Sequence, residues 1–281
     1  MFYIFSTILS EGDEVIVNEP IWPHLCEMIK YVGAVPIKVG LNDSNNFHLQ
    51  TDKIKEKITD RTKAILINTP NNPTGIIYSE SELKELCNIA RINDLYIISD
   101  EEYCDYLYNN EFNSPLKYYD KTLISRSFSK QYSIAGLRIG YVVADSKIID
   151  DMIKLALFTN MYSSSIVQYA IVEQRNNMKY FIENANKIMN ERMNILYDGI
   201  NSINGLSCEK SEGGLYIWLN CKEIESDDTK FADRLLYNAH VATVPGSCFG
   251  ESGKGYLRVS LGAEKERLYE AIKRIKDEVE K

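Results

Sequence analysis

The sequence predicts an α/β fold: a large domain with a mostly parallel sheet flanked by helices, then a smaller α+β C-terminal domain. Three observations carry that expectation. Through the first half, short β-branched runs alternate with helical stretches, the order that builds a parallel sheet with helical crossovers. The runs are continuously apolar, as strands covered on both faces are. From about residue 164 the order changes to one long amphipathic stretch followed by short strand-like runs. The boundary falls near 175, giving a large domain over 1–175 and a small domain over 176–281.

The opening "MFYIFSTILSEGDEV" is apolar but has no basic residue before Lys30 and no small-residue cleavage site, so it does not read as a signal peptide. It is too short to cross a membrane and reads as a buried helix ending near Gly12. That helix has no N-cap and no preceding loop, so the chain is expected to begin inside an element, with sequence missing upstream. "DEVIV" (13–17) is the first strand, followed by a helix through "HLCEMIKYV" and the strand "VPIKV" (35–39). "KAILINT" (63–69) is next, then a helix over 79–93 in which Ser79 and Glu82 have capping-box spacing. The strands "LYIIS" (95–99), "KTLIS" (121–125) and "RIGYVVA" (138–144) complete the first half. Residues 178–200 read as a long amphipathic helix. After it come "LSCEK", "GGLYIWLNC", a helix near 229–238, "VATVPG", "YLRVSL" and a charged final helix from about 263, consistent with an antiparallel sheet.

Bulk properties exclude several function classes. At 281 residues the chain holds one large or two moderate domains. A net charge of −8 argues against nucleic acid as the main partner. Cys26, Cys87, Cys104, Cys208, Cys221 and Cys248 stand far apart without a CxxC, and only His24, His48 and His240 accompany them. That pattern supports neither a structural zinc site nor a disulfide scaffold and fits a reduced cytoplasm. "GESGKG" (250–255) is not a P-loop, because Cys248 stands where the first glycine belongs and Gly255 follows the lysine. No GxGxxG follows a strand, which argues against a nicotinamide enzyme.

Ligands of open parallel sheets gather at the carboxyl ends of strands, so the residues just past each strand are the candidates. "VIVNEPIW" delivers Trp22, "ILINTPNNPTG" delivers Asn72, and "YIISDEEY" delivers Asp100 and Tyr103. "LISRSFSK" delivers Ser127, Ser129 and Lys130, with Arg138 eight residues beyond the lysine. Each alone has a plainer reading: Lys130 on the surface, Asp100 capping a turn, Asn72 as turn chemistry beside Pro73, Trp22 as core packing, Arg258 as a surface ion pair. Together they place an aromatic ring, an amide, a carboxylate, a phenol, hydroxyls and an amine on one edge of one sheet.

In order and spacing, "NNPTG", "SDEEY" and "SFSKQYSIAGLRIGY" resemble the class I/II pyridoxal phosphate-dependent aminotransferases of fold type I, the aspartate aminotransferase superfamily. "GDEVIVNEPIWPH" and "VPGSCFGESGKGYLRVSLG" resemble further blocks of that family, so the likeness runs from Gly12 to the last helix. The resemblance implies pyridoxal 5′-phosphate as cofactor, held by Lys130 as a Schiff base, with Lys130 then moving the Cα proton. It implies Asp100 at the pyridine nitrogen, Asn72 and Tyr103 at the ring oxygen, and Trp22 on the ring face. Ser127, Ser129 and Arg138 match phosphate ligands, and Arg258 matches the arginine that takes the substrate α-carboxylate, with Asn72 beside it. It also implies an amino acid and a 2-oxo acid as partners, no membrane, and a homodimer. The family has a further N-terminal segment carrying a phosphate-binding loop and a subunit-contacting arm. Its absence here is expected to weaken cofactor affinity and the dimer. Two other readings remain open on these residues: a carbon–sulfur lyase or decarboxylase of the same fold, and a non-catalytic truncated remnant.

Overall fold

In the computed structural model, which describes residues 1–108 and 110–281, helix α1 (Phe2–Ile8) leads into strand β1 (Glu14–Glu19), α2 (Pro23–Tyr31) and β2 (Val35–Gly40). There follow α3 (Thr51–Glu56), β3 (Thr62–Asn68), α4 (Glu80–Ile92), β4 (Tyr96–Asp100), β5 (Thr122–Ser127), α5 (Phe128–Gln131), β6 (Gly140–Val143) and α6 (Ser146–Leu157). Helix α7 (Ser165–Asn201) precedes β7 (Ser207–Cys208), β8 (Tyr216–Asn220), α8 (Asp228–Ala239), β9 (Val244–Pro245), β10 (Tyr256–Ser260) and α9 (Lys265–Val279). The large sheet has the order β2-β1-β3-β4-β5-β6, and the small one β7-β8-β10-β9. Strands β1 to β5 pair in parallel and β6 runs antiparallel at the edge, whereas every pair in the small sheet is antiparallel. The fold class read from the sequence is therefore the one observed.

The continuous apolar runs have a simple cause. Alternate residues of a strand face opposite sides, and both sides here are covered. Val15, Val17, Leu66, Ile98 and Leu123 pack with Ile4, Phe5, Leu25 and Ile29 of α1 and α2. Ile16, Ile65, Ile67 and Ile97 pack on the other side with Leu83, Leu86 and Ala90 of α4. Each fully buried aliphatic side chain contributes about 1.5–3 kcal/mol. A third core joins the small sheet to α7, α8 and α9 through Ile217, Leu219, Leu257, Phe231, Leu235 and Ile275.

Local signals account for the ends of elements. The capping box of α4 is present in both directions between Ser79 and Glu82. Glu82 also accepts from the Leu49 amide at 2.8 Å and meets the His48 ring at 3.1 Å. Burial opposes its ionisation, but hydrogen bonds from His48 and Ser79 hold its carboxyl down at about 2. Helix α1 ends at Ile8 rather than near Gly12, because the Asp13 side chain accepts the Ser10 amide at 2.8 Å and turns the chain. The last strand of the large sheet starts at Gly140 rather than Arg138, since Arg138 sits in the left-handed region at φ 53°. Helix α7 starts at Ser165 rather than at 178. Its first half is exposed, with Ile166 80% and Tyr169 73% accessible, so no core face marks it in the sequence. With no proline or glycine before Gly199, the helix propagates outward from its packed half. The division near 175 thus falls inside a continuous helix.

Two loops lock the units together. The Glu212 and Gly213 amides both donate to the Gly75 carbonyl, at 3.0 and 2.9 Å, and Glu212 Oε2 accepts the Ile77 amide at 2.8 Å. Gly75 has φ +75°, and an added Cβ would lie 2.6 Å from Ser211 Cβ. Gly75→Ala is therefore expected to destabilise the chain by about 2 kcal/mol or more, from backbone strain and collision combined. Urea denaturation beside the parent checks this.

Candidate active site

The strand register sets the first layer of the site. Asn68 lies opposite Asp100, and Asp100 opposite Ser125, so the carboxyl ends of β3, β4 and β5 present these residues abreast. Asn68 then braces its neighbours: its Nδ2 donates to the Asp100 carbonyl at 3.1 Å, and its Oδ1 accepts the Asn72 amide at 2.7 Å. Past β5, the Ser127 hydroxyl accepts the Ser129 amide at 3.0 Å and caps α5. That one-turn helix carries Lys130, whose carbonyl accepts the Tyr106 hydroxyl at 2.8 Å.

These ends open into a cavity of about 470 Å³. All nine residues singled out in the sequence line it: Trp22, Asn72, Asp100, Tyr103, Ser127, Ser129, Lys130, Arg138 and Arg258. Asn68, Glu102, Ser125 and Tyr216 line it too, and sequence reasoning missed them. Asn68, Glu102 and Ser125 were within reach: Glu102 adjoins Tyr103, Ser125 is two residues before Ser127, and Asn68 ends the strand whose following turn carries Asn72. Tyr216 lies on β8 of the other sheet and carried no motif signal. A neighbouring groove of about 590 Å³ shares Ser125, Ser127, Ser129 and Arg138 and is floored by Ile149, Met152 and Ile153.

Trp22 stacks on His24 with ring centroids 4.6 Å apart. Arg138 donates from Nη1 to the Ala135 carbonyl at 2.8 Å. Arg258 reaches across from β10, donating from Nη1 to Asn72 Oδ1 at 2.9 Å. Its guanidinium lies 4.1 Å from the ring centre of Tyr216 and 4.9 Å from that of Phe249. Since Asn72 spends its oxygen on Arg258, its Nδ2 is the donor left for the cavity.

The three acidic residues of "SDEEY" have separate fates. Glu101 is fully buried and takes two hydrogen bonds from Arg126, at 2.8 and 2.6 Å, with Ser99 and Ser114 completing its shell. Asp100 is 8% exposed, and its carboxyl is pushed up to about 7, first by burial and then by the nearby Glu102 charge. Glu102 is also raised by burial, opposed by Lys130, Ser127 and Arg138. Burial and the adjoining Tyr216 push the Tyr103 phenol upward. Burial does the same to the Cys104 thiol, which leaves it unreactive. The set therefore offers a desolvated carboxyl suited to a cationic partner, hydroxyls and an arginine suited to an anion, an amine, and a second arginine in an aromatic clamp.

The family model for "Aminotransferase class I and II" matches residues 2–275. The chain is 37% identical to a probable aspartate/prephenate aminotransferase of Aquifex aeolicus, covering 100% of this chain and 73% of that protein. It is 36% identical to an aspartate aminotransferase of Bacillus subtilis, covering 100% and 74% respectively. Among solved structures, a tetra mutant of Thermus thermophilus aspartate aminotransferase superposes with a TM-score of 0.95 at 32% identity, over 99% of this chain and 76% of that one. An aromatic aminotransferase of Pyrococcus horikoshii gives 0.95 at 30% identity, over 98% and 75%.

The Asp100 environment yields a stability test. Its folded-state value lies above the ordinary carboxylate value, so the stability it contributes is complete below about pH 4 and is lost as pH rises through about 7. Asp100→Asn removes that loss. In the cofactor-free chain it is expected to be more stable than the parent at pH 8, by on the order of 2 kcal/mol, with a smaller difference at pH 5. Urea denaturation at the two pH values checks this.

Proposed function

The chain belongs to the aminotransferase class I and II family, and on that premise we propose that Lys130 is the amine through which it binds pyridoxal 5′-phosphate and transfers an amino group. It is an aminotransferase, of a family that depends on this cofactor. The observation that carries the residue-level reading is the convergence of Lys130, Asp100, Tyr103, Ser127, Arg138 and Arg258 on one cavity. The donor set fits the group: Asp100 would meet a cationic ring nitrogen, and Ser127, Ser129 and Arg138 would hold a phosphate. Asn72 Nδ2 and the Tyr103 hydroxyl would serve the ring oxygen, and Trp22 would cover a ring face.

When bound, pyridoxal phosphate supplies an aldehyde that an amine captures and an electron-poor ring that takes up the electrons left when Cα loses its proton. The chain supplies the rest. Arg258 grips the α-carboxylate of an L-amino acid and, after it, of a 2-oxo acid. That grip sets the orientation of Cα relative to Lys130. Lys130, as a free amine, would take the Cα proton and return it on the other side of the transfer. Asp100, once a cation meets it, would hold a negative charge beside the ring nitrogen and favour its protonated form. The names of the relatives make aspartate and aromatic amino acids the first substrates to try.

Assembly and location complete the proposal. Phe158, Tyr162, Ile166 and Tyr169 are each at least 73% exposed along the end of α6 and the first half of α7. An apolar face of this kind suits a second copy of the chain, and we assign a homodimer to it. The described helices include none long and apolar enough to cross a membrane. All six cysteines are free, which suits the cytoplasm.

Two outcomes test the reading. Mixing the chain with pyridoxal phosphate is expected to give a visible absorption band that amino acids bleach and that Lys130→Ala lacks. Pyruvate release from cystathionine without any oxo-acid acceptor would instead identify a carbon–sulfur lyase. Arg258→Leu is expected to lower kcat/KM about 30-fold to 100-fold, the equivalent of a lost charge-assisted pair, with most of the change in KM.

A further inference from the structure

Tyr216 stands between two residues of the site that come from opposite units. Its ring lies under the Arg258 guanidinium at 4.1 Å. Its hydroxyl meets the Tyr103 hydroxyl at 3.2 Å, with the two rings edge-to-face at 5.9 Å. Tyr216 lines the cavity itself and is fixed from behind, where its carbonyl accepts the Ser211 hydroxyl at 2.5 Å. Arg258 is thus held by Asn72 on one side and by the faces of Tyr216 and Phe249 on the others.

We propose that Tyr216 is a positioning residue that couples a carboxylate bound at Arg258 to the hydrogen bond Tyr103 gives into the cavity. This rests on the reading of Arg258, Tyr103 and Lys130 given above. The chemistry runs through one aromatic ring. Either hydroxyl of the Tyr103–Tyr216 pair can donate. Once Tyr103 gives its proton to an acceptor in the cavity, Tyr216 is the donor of the pair. A donor behind a donor polarises it, so Tyr103 gives the stronger bond. A guanidinium against the face of a phenol draws on its π electrons and sharpens its hydroxyl as a donor. A carboxylate that neutralises Arg258 relaxes that pull. Substrate arrival at one end of Tyr216 is therefore felt at whatever acceptor Tyr103 serves in the cavity. The other charged groups near the pair are Asp100 and Glu102 beside Tyr103, with Lys130 also on the cavity wall.

The test uses the full chain as parent, Tyr216→Phe and Tyr216→Leu, with succinate as carboxylate probe. Phenylalanine keeps the ring face and loses the hydroxyl; leucine loses both. Calorimetry on the cofactor-free chain is expected to show succinate affinity within about twofold of the parent for Tyr216→Phe. For Tyr216→Leu it is expected to be about twofold to fivefold weaker, the range of an exposed cation–ring contact. In the chain loaded with pyridoxal phosphate, the pH midpoint of the visible band is expected to rise in Tyr216→Phe. A shift of about threefold in the underlying equilibrium corresponds to one weakened hydrogen bond. The parent's midpoint is expected to move when succinate is added, and that of Tyr216→Phe to move less. Tyr216→Phe with the parent's midpoint and the parent's succinate response overturns the coupling. Tyr216→Leu that binds succinate as the parent does overturns the positioning of Arg258. A parent chain without a visible band defeats the Lys130 reading instead, and the calorimetric comparison still judges Tyr216.

Discussion

Burying a carboxyl group costs free energy unless a cation meets it, and Asp100 is buried at the end of β4 with Glu102 close by. Much of the site can be understood from that constraint. The strand ends around Asp100 supply amide and hydroxyl groups rather than a neutralising lysine: Asn68 on one side and Ser125 on the other. The neighbouring Glu101 has its own partner in Arg126, so the chain neutralises the carboxylate that serves structure. It leaves raised the two that face the cavity. Unrelieved electrostatic cost at a cavity wall is what a ligand-binding site keeps in reserve.

The second theme is the seam between units. The large sheet and the segments that leave its strand ends supply Asp100, Tyr103 and Lys130, while the small sheet supplies Tyr216 and Arg258. Their meeting depends on the loop after β3, where Asn72 holds Arg258 and Gly75 receives the 212–213 turn. An aromatic group backs this seam: Trp218 stacks on Tyr256 at 5.2 Å, and Phe47 and Phe249 meet them edge-on. Beyond it, Asp43 accepts from both the Tyr256 hydroxyl and Lys222. The arginine is thus carried by a packed wall rather than by a flexible loop, which limits how far its charge can wander. Gly250, in the glycine-rich run at 250–255, has φ +115° and leaves no room for a side chain against Glu19. Its glycine serves that close approach.

The sequence by itself determined the fold class and the residues of the large-sheet edge. Strands buried on both faces are legible because their centres are continuous apolar runs, and the ends of those strands are where functional groups must emerge. Lys130, Asp100, Asn72 and Tyr103 were found that way, and Ser79 with Glu82 marked a helix start that local chemistry alone decides. Tertiary structure alone decided what crosses between elements. The exposed half of α7 belongs to none of the chain's own cores among the described residues, so no core-facing stripe marked it. The difference among Asp100, Glu101 and Glu102 lies in which partner each one meets, and Arg126 meets only Glu101. Tyr216 acquires its position from the register of β8 against β10 and from the seam with Tyr103, 113 residues away in sequence. Hydrophobic pattern is written along the chain, whereas contacts between distant segments exist only once both cores have formed.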